Sequence, residues 1–293
     1  MDNYVFQNLF EAVIKEIPYA SSTIDTPEKI IDFWEALLET NNDKIVPSSI
    51  NNPEITQLAK QYIVEYTMWT LSMSDTSVHT QIRYLYHHLF LCITNTAFSI
   101  YKLAFDGLDY QAQVLLRNLY ELCMILLNIT IDPEKRQALM DSGKNEDGEE
   151  TWYRYLRPKK LQATLKAYAE KIGASDLTDW HARLYSHLST YVHNNYISLL
   201  TYSVSFDPKN EEILYPNICG AFASRVETTL WGMIEILLYT GLFLKLIGDP
   251  EIDISKEHLC DQNSENKEYW NAAAFLNLFN FKCFLQVQEN ETE

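Results

Sequence analysis

VHTQIRYLYHHLFLCITNTAFSIYKLAFDGLDYQAQVLLRNLYELCMILLNITI, residues 78–131, is the stretch that decides the fold. Ile82, Leu85, Leu89, Ile93, Thr96 and Ile100 recur at three- and four-residue steps, the period of a helix with one buried face. The spacing predicts a helix from about Val78 to Phe105. Asp106-Gly107 closes it, and Asp109 caps a second helix running to about Ile131. A turn that short makes the two helices antiparallel neighbours. In the second helix Leu115, Leu119, Leu122, Leu126 and Ile129 form one stripe, while Met124 and Ile125 lie on the opposite face. A helix apolar nearly all round belongs at the centre of its fold.

The rest of the chain reads the same way. Residues 3 to 17 form a short amphipathic helix stopped by Pro18. Thr26-Pro27-Glu28 opens another that runs to about Thr40. Pro53 begins one that reaches about Met73. Helices follow at about 159–172, with Gly173 as C-cap, and from Thr178 or Asp179 to about Tyr202. Two more span about 218–248 and 264–287. Asp141 to Glu150 reads as a charged flexible loop, followed by the basic RYLRPKK, and Ser203 to Pro216 as irregular. Ile197 to Phe206 is a weak strand candidate. Eight glycines in 293 residues leave few tight turns for a many-stranded fold. The expected fold is all-α: a bundle of long antiparallel helices over residues 76–293, with residues 1–75 a helical extension packed on it, or one continuous domain.

The formal net charge of −17 opposes general nucleic-acid coating and adhesion to anionic membranes. A local basic groove at Arg154, Arg157, Lys159 and Lys160 stays open. The five cysteines are scattered without a CxxC pair, which suits reduced thiols in a cytoplasmic setting. The N-terminus lacks the features of a signal peptide. Leu230 to Ile247 is the most membrane-like run, but Glu235 near its middle predicts a buried helix rather than a span. His87-His88 diverge on a helix and cannot share a metal. HExxH, zinc-spaced Cys/His, GxGxxG, P-loop and GxSxG patterns are all missing, so no metal or cofactor is expected.

Two helices carry polar residues that a plain core helix does not need. Arg117 and Glu121 sit in the apolar run LLRNLYELCMILLNI. Arg before Glu at i,i+4 is the weaker orientation for helix support. The pair is therefore either a structural ion pair with neighbouring helices or part of a binding or catalytic site. In ARLYSHLSTYVHNN, Leu184, Leu188, Tyr191 and Val192 mark the buried side. Ser189 and His193 lie at its border, four residues apart, with Asn194 adjacent. A hydroxyl beside an imidazole is either a nucleophile and base, a binding pair, or a solvated face with a half-buried histidine.

Taken together, the two segments resemble a family of bacterial all-helical proteins of unknown function. Its members carry an Arg-x-x-x-Glu helix, here Arg117 to Glu121. A Tyr-x-x-Leu-Ser-x-x-x-His helix follows, here Tyr185, Leu188, Ser189 and His193. The resemblance covers about residues 80 to 245. In outline such proteins are similar to HEPN domains, helical bundles whose active members are metal-independent ribonucleases of toxin and antiphage systems. Those carry Arg, a polar residue, a few spacers and His on one helix. Here Arg117-Asn118 begins that pattern, but Cys123 stands where His is expected. Arg183 is followed by His187 after three residues and by His193 after nine.

The resemblance implies that Arg117, Glu121, Ser189 and His193 line one inter-helix groove. It also implies a homodimer. The expected function is a ligand-binding or interaction module, with a protein or small-ligand partner, in bacterial defence or stress. The alternative is a HEPN-like ribonuclease or nucleotide-acting enzyme using Arg117 and His193, and only then is RNA a partner.

Overall fold

The computed structural model describes residues 26–39, 53–73, 81–142, 152–173, 176–192, 205–207, 212–214, 226–247 and 264–292. The fold is all-α, and among the described residues the strands are those of one short hairpin. The described helices are α1 Pro27–Glu39, α2 Pro53–Leu71, α3 Gln81–Phe105, α4 Asp109–Ile131, α5 Pro133–Ser142, α6 Pro158–Lys171, α7 Asp176–Val192, α8 Val226–Ile247 and α9 Ser264–Thr292. A π-helical turn, Trp152–Leu156, precedes α6. The expected helix at 3–17, the positions of Tyr191–Tyr202 beyond Val192, and the start of the helix expected at 218 lie outside the described residues.

The turn after α3 closes as its sequence requires. Gly107 takes a left-handed φ of 70°, Leu108 N–H bonds Leu103 C=O at 2.8 Å, and Gly107 N–H bonds Ala104 C=O at 3.2 Å. That paired geometry satisfies the last carbonyls of a helix and needs a residue without Cβ. Asp109, expected as a cap, is instead the first residue of α4, where a carboxylate faces the positive end of the helix dipole.

Three local readings are corrected. Pro133–Ser142 is a helix, so Asp141 and Ser142 do not belong to a loop. Its signals were present in the chain: Asp132 Oδ1 accepts the backbone N–H of Glu134 at 3.0 Å and of Lys135 at 3.3 Å, and Pro133 follows at the first helical position. Part of the segment expected to be irregular pairs as an antiparallel hairpin, Ser205–Asp207 with Glu212–Leu214. Finally, α9 continues past Val287 to Thr292.

Helix α4 is the centre of the bundle. It packs against α3, α5, α6, α7 and α8, and Leu116, Leu119, Leu126, Leu127 and Ile129 are buried. It is also long and apolar enough to cross a membrane by length and composition, which is what burial on nearly all sides demands of a core helix. A second layer lies behind it, with α2 packed against α3, α8 and α9. Polar cross-links set the register of these helices. Tyr86 Oη donates to Ile129 C=O (3.2 Å), Tyr66 Oη to Leu237 C=O (2.8 Å) and Gln113 Nε2 to Thr229 Oγ1 (3.1 Å). Buried residues of α1–α4 and α6–α9 form one continuous cluster, against which Leu139 of α5 packs, so α2 shares the core of the later helices. At Gly241 in α8, an added Cβ would overlap the side-chain amide of Asn277 in α9, so the glycine lets these two helices approach.

Candidate functional site

Helices α4 and α7 face each other, and Arg117 is one of the residues through which they meet. Its guanidinium carbon lies 3.8 Å from the centroid of the Tyr185 ring. Nη1 donates to Ser189 Oγ at 2.7 Å and to Tyr185 C=O at 3.2 Å, and Nε donates to Glu121 Oε1 at 2.8 Å. Ser189 Oγ in turn donates to Tyr185 C=O at 2.7 Å. The guanidinium is thus stacked, paired and forked at once, a geometry only arginine can meet. Its side chain is 11% exposed, whereas that of Glu121 is 43% exposed. The pair therefore presents a carboxylate edge to solvent with a nearly buried cation behind it. The second terminal nitrogen, Nη2, makes no hydrogen bond to any described residue.

Arg117, Glu121 and Ser189 are brought together, while His193 and Asn194 lie outside the described residues. The chemistry open to Ser189 follows from its partners. Its oxygen accepts from a cation and its proton is held by a carbonyl. That is the arrangement of a hydroxyl that fixes Arg117.

The site continues through Tyr120, one residue from Glu121 and on the inner side of α4. Tyr120 Oη donates to His181 C=O at 3.2 Å and accepts from Gln162 Nε2 of α6 at 3.4 Å. Its ring lies 5.9 Å from those of both Tyr185 and His181. Burial pushes its hydroxyl up to about 12, so it stays protonated and donates.

His181 was not singled out by the sequence reading. With Leu184 and Leu188 it forms the buried stripe of α7. It is 3% exposed, ringed by Trp180, Tyr120 and Phe243, and neither ring nitrogen has a hydrogen-bond partner among the described residues. Burial depresses its pKa to about 3, so the ring is neutral. It lines a cleft of about 290 Å³ between α6 and α7, together with Lys159, Gln162 and Lys166. Its signal was the 181, 184, 188 spacing, which puts an imidazole at a position where the pattern calls for an apolar residue.

A second buried polar cluster also escaped the reading. Glu65 of α2 is fully buried. Its oxygens accept Asn277 Nδ2 at 2.9 Å, Asn280 Nδ2 at 2.8 Å and Trp69 Nε1 at 3.5 Å. Burial raises its pKa to about 7 against the pull of those three donors. Glu235, which marked 230–247 as buried rather than spanning, is partly buried in α8, with its pKa raised by burial and lowered in part by a hydrogen bond from Trp180.

Among the described residues no group of three or more His, Cys, Asp or Glu side chains is placed to hold a metal ion. Comparison with protein families, curated proteins and solved structures finds no match to this chain.

Proposed function

We propose that this protein is a ligand-binding or interaction module whose site is the α4–α7 groove around Arg117. The observation that carries the reading is the fixing of one guanidinium by Tyr185, Ser189 and Glu121 together. An Arg–Glu pair in this order does little for helix stability. A stacked and forked arginine beside a half-exposed carboxylate is, by contrast, a preorganised recognition element. Its ordering entropy is lost on folding rather than on binding. The scattered cysteines suit a cytoplasmic place, and the resemblance implies a role in bacterial defence or stress.

The test is retention of a partner. Wild-type protein, Arg117→Ala and Arg117→Lys are equilibrated with a cell extract and analysed by native mass spectrometry. The reading expects a bound species on the wild type that is lost from Arg117→Ala and strongly reduced on Arg117→Lys, which keeps the charge but not the fork. Equal spectra for all three folded proteins would overturn it. The ribonuclease alternative draws on Arg117, His193 and the basic segment 154–160. It requires that expressing the wild type degrade total RNA and arrest growth, and that Arg117→Ala and His193→Ala abolish both effects.

A further inference from the structure

The α6–α7 cleft shares no lining residue with Arg117, Glu121, Tyr185 and Ser189, though Tyr120 links the two by its bonds to His181 and Gln162, and three features converge on it. The first is charge. Residues 152–171 hold Arg154, Arg157, Lys159, Lys160, Lys166 and Lys171 against the single acid Glu170, in a chain of 23 basic and 40 acidic residues. A positive island on an otherwise acidic surface concentrates anions locally. The second is alignment. Lys159, Ala163 and Lys166 are exposed at i, i+4 and i+7 of α6, hence on one face, and all three line the cleft. The third is His181, one of the residues that line it, buried and with both ring nitrogens unpartnered among the described residues. Leaving such a group unpaired costs about 1–3 kcal/mol, and folded proteins rarely tolerate it without a use.

The size of the cleft, about 290 Å³, is at the lower end for small-molecule sites. Its walls include Ala163, Leu165 and Ala182, which offer apolar contact to the body of a ligand. We propose that this cleft binds a small phosphomonoester. Lys159 and Lys166 hold the phosphate as point charges, and His181 supplies an N–H to the bound molecule. Gln162 both lines the cleft and donates to Tyr120, so a ligand there contacts the cross-link between α6 and α4 directly.

The probe is phenyl phosphate, titrated into the full chain while the His181 ring resonances are followed by NMR at constant ionic strength. Phenol is the control for the body without the anion. The expected result is a saturable shift of the His181 signals with phenyl phosphate and a far weaker one with phenol. The affinity should fall at least tenfold in the double variant Lys159→Gln/Lys166→Gln, whose substitutions are exposed and leave folding intact. Arg117→Ala should bind phenyl phosphate like the wild type, which separates this site from the α4–α7 groove. The proposal is overturned by an unresponsive His181, by an equal response to phenol, or by a double variant that binds like the wild type.

Discussion

Replacing Glu65 with glutamine should make the protein more stable above neutral pH, although it removes one of the two oxygens that between them accept three hydrogen bonds. Glu65 is fully buried, and the donors that reach it, Asn277, Asn280 and Trp69, are all neutral. Three neutral donors do not replace the hydration of a carboxylate, so its pKa rises from 4.5 to about 7. Between those two values the folded protein retains a proton that the unfolded chain has released. Stability therefore falls as pH rises through this window, by about 1.4 kcal/mol per unit, and levels off above it. The interval amounts to about 3 kcal/mol at pH 8 relative to pH 4.

Glutamine carries no such titration. Its Oε1 accepts from one asparagine, and its amide donates to the oxygen of the other once that side chain turns; both asparagine Oδ1 atoms are now unpartnered among the described residues. Urea denaturation of wild type and Glu65→Gln at matched pH values from 4 to 8 measures the effect directly. Other titrating groups cancel in the difference. The difference in unfolding free energy should be near zero at pH 4 and reach about 3 kcal/mol in favour of the variant at pH 8. Parallel profiles would show that folding leaves the Glu65 pKa unshifted, and a variant that becomes relatively weaker as pH rises would show that folding lowers it; either result would mean that desolvation does not dominate there.

The same chain should respond oppositely at its other end. His181 is held neutral with a pKa of about 3, so between 6.5 and 3 the unfolded state takes up a proton that the folded state refuses. Stability is then lost as pH falls. His181→Phe should lose about 3 kcal/mol less than the wild type between pH 7 and pH 4, measured by the same denaturation series. Gly241→Ala should destabilise by about 1–3 kcal/mol, because the new methyl displaces the Asn277 amide from Glu65. A double-mutant cycle with Glu65→Gln should therefore be non-additive. Asp132→Ala removes the cap of α5 and the carboxylate beside Lys135, and thermal melting should report a loss of about 1 kcal/mol.

What the sequence disclosed, and what it hid, follows from how far each feature depends on distant parts of the chain. The course of α3 and α4 was legible because helical period and a glycine turn are local properties, and they put Arg117 on the central helix. The partner of Arg117 was half legible. That Ser189 shares a groove with Arg117 was implied by the family resemblance and not by the local pattern, and stacking on Tyr185 depends on the crossing of α4 and α7, which no local pattern encodes. Glu65 and His181 were missed for a different reason. Each is a single polar residue on an apolar face, the same anomaly that drew notice to Arg117 and Glu121. In DWHARLY the positions four away from His181 are Leu177 and Tyr185, and in IVEYTMW Glu65 has Gln61 four positions before it and Trp69 four after, neither of which makes a charged pair or a familiar motif. Burial without a local partner is, however, the more informative case. A charged pair on one helix can satisfy itself, whereas a lone carboxyl or imidazole in a core has to be matched by another element, as Glu65 is by α9, or by something that binds. His181 has no such match among the described helices, and that is the ground for a ligand in the α6–α7 cleft beside the one proposed at Arg117.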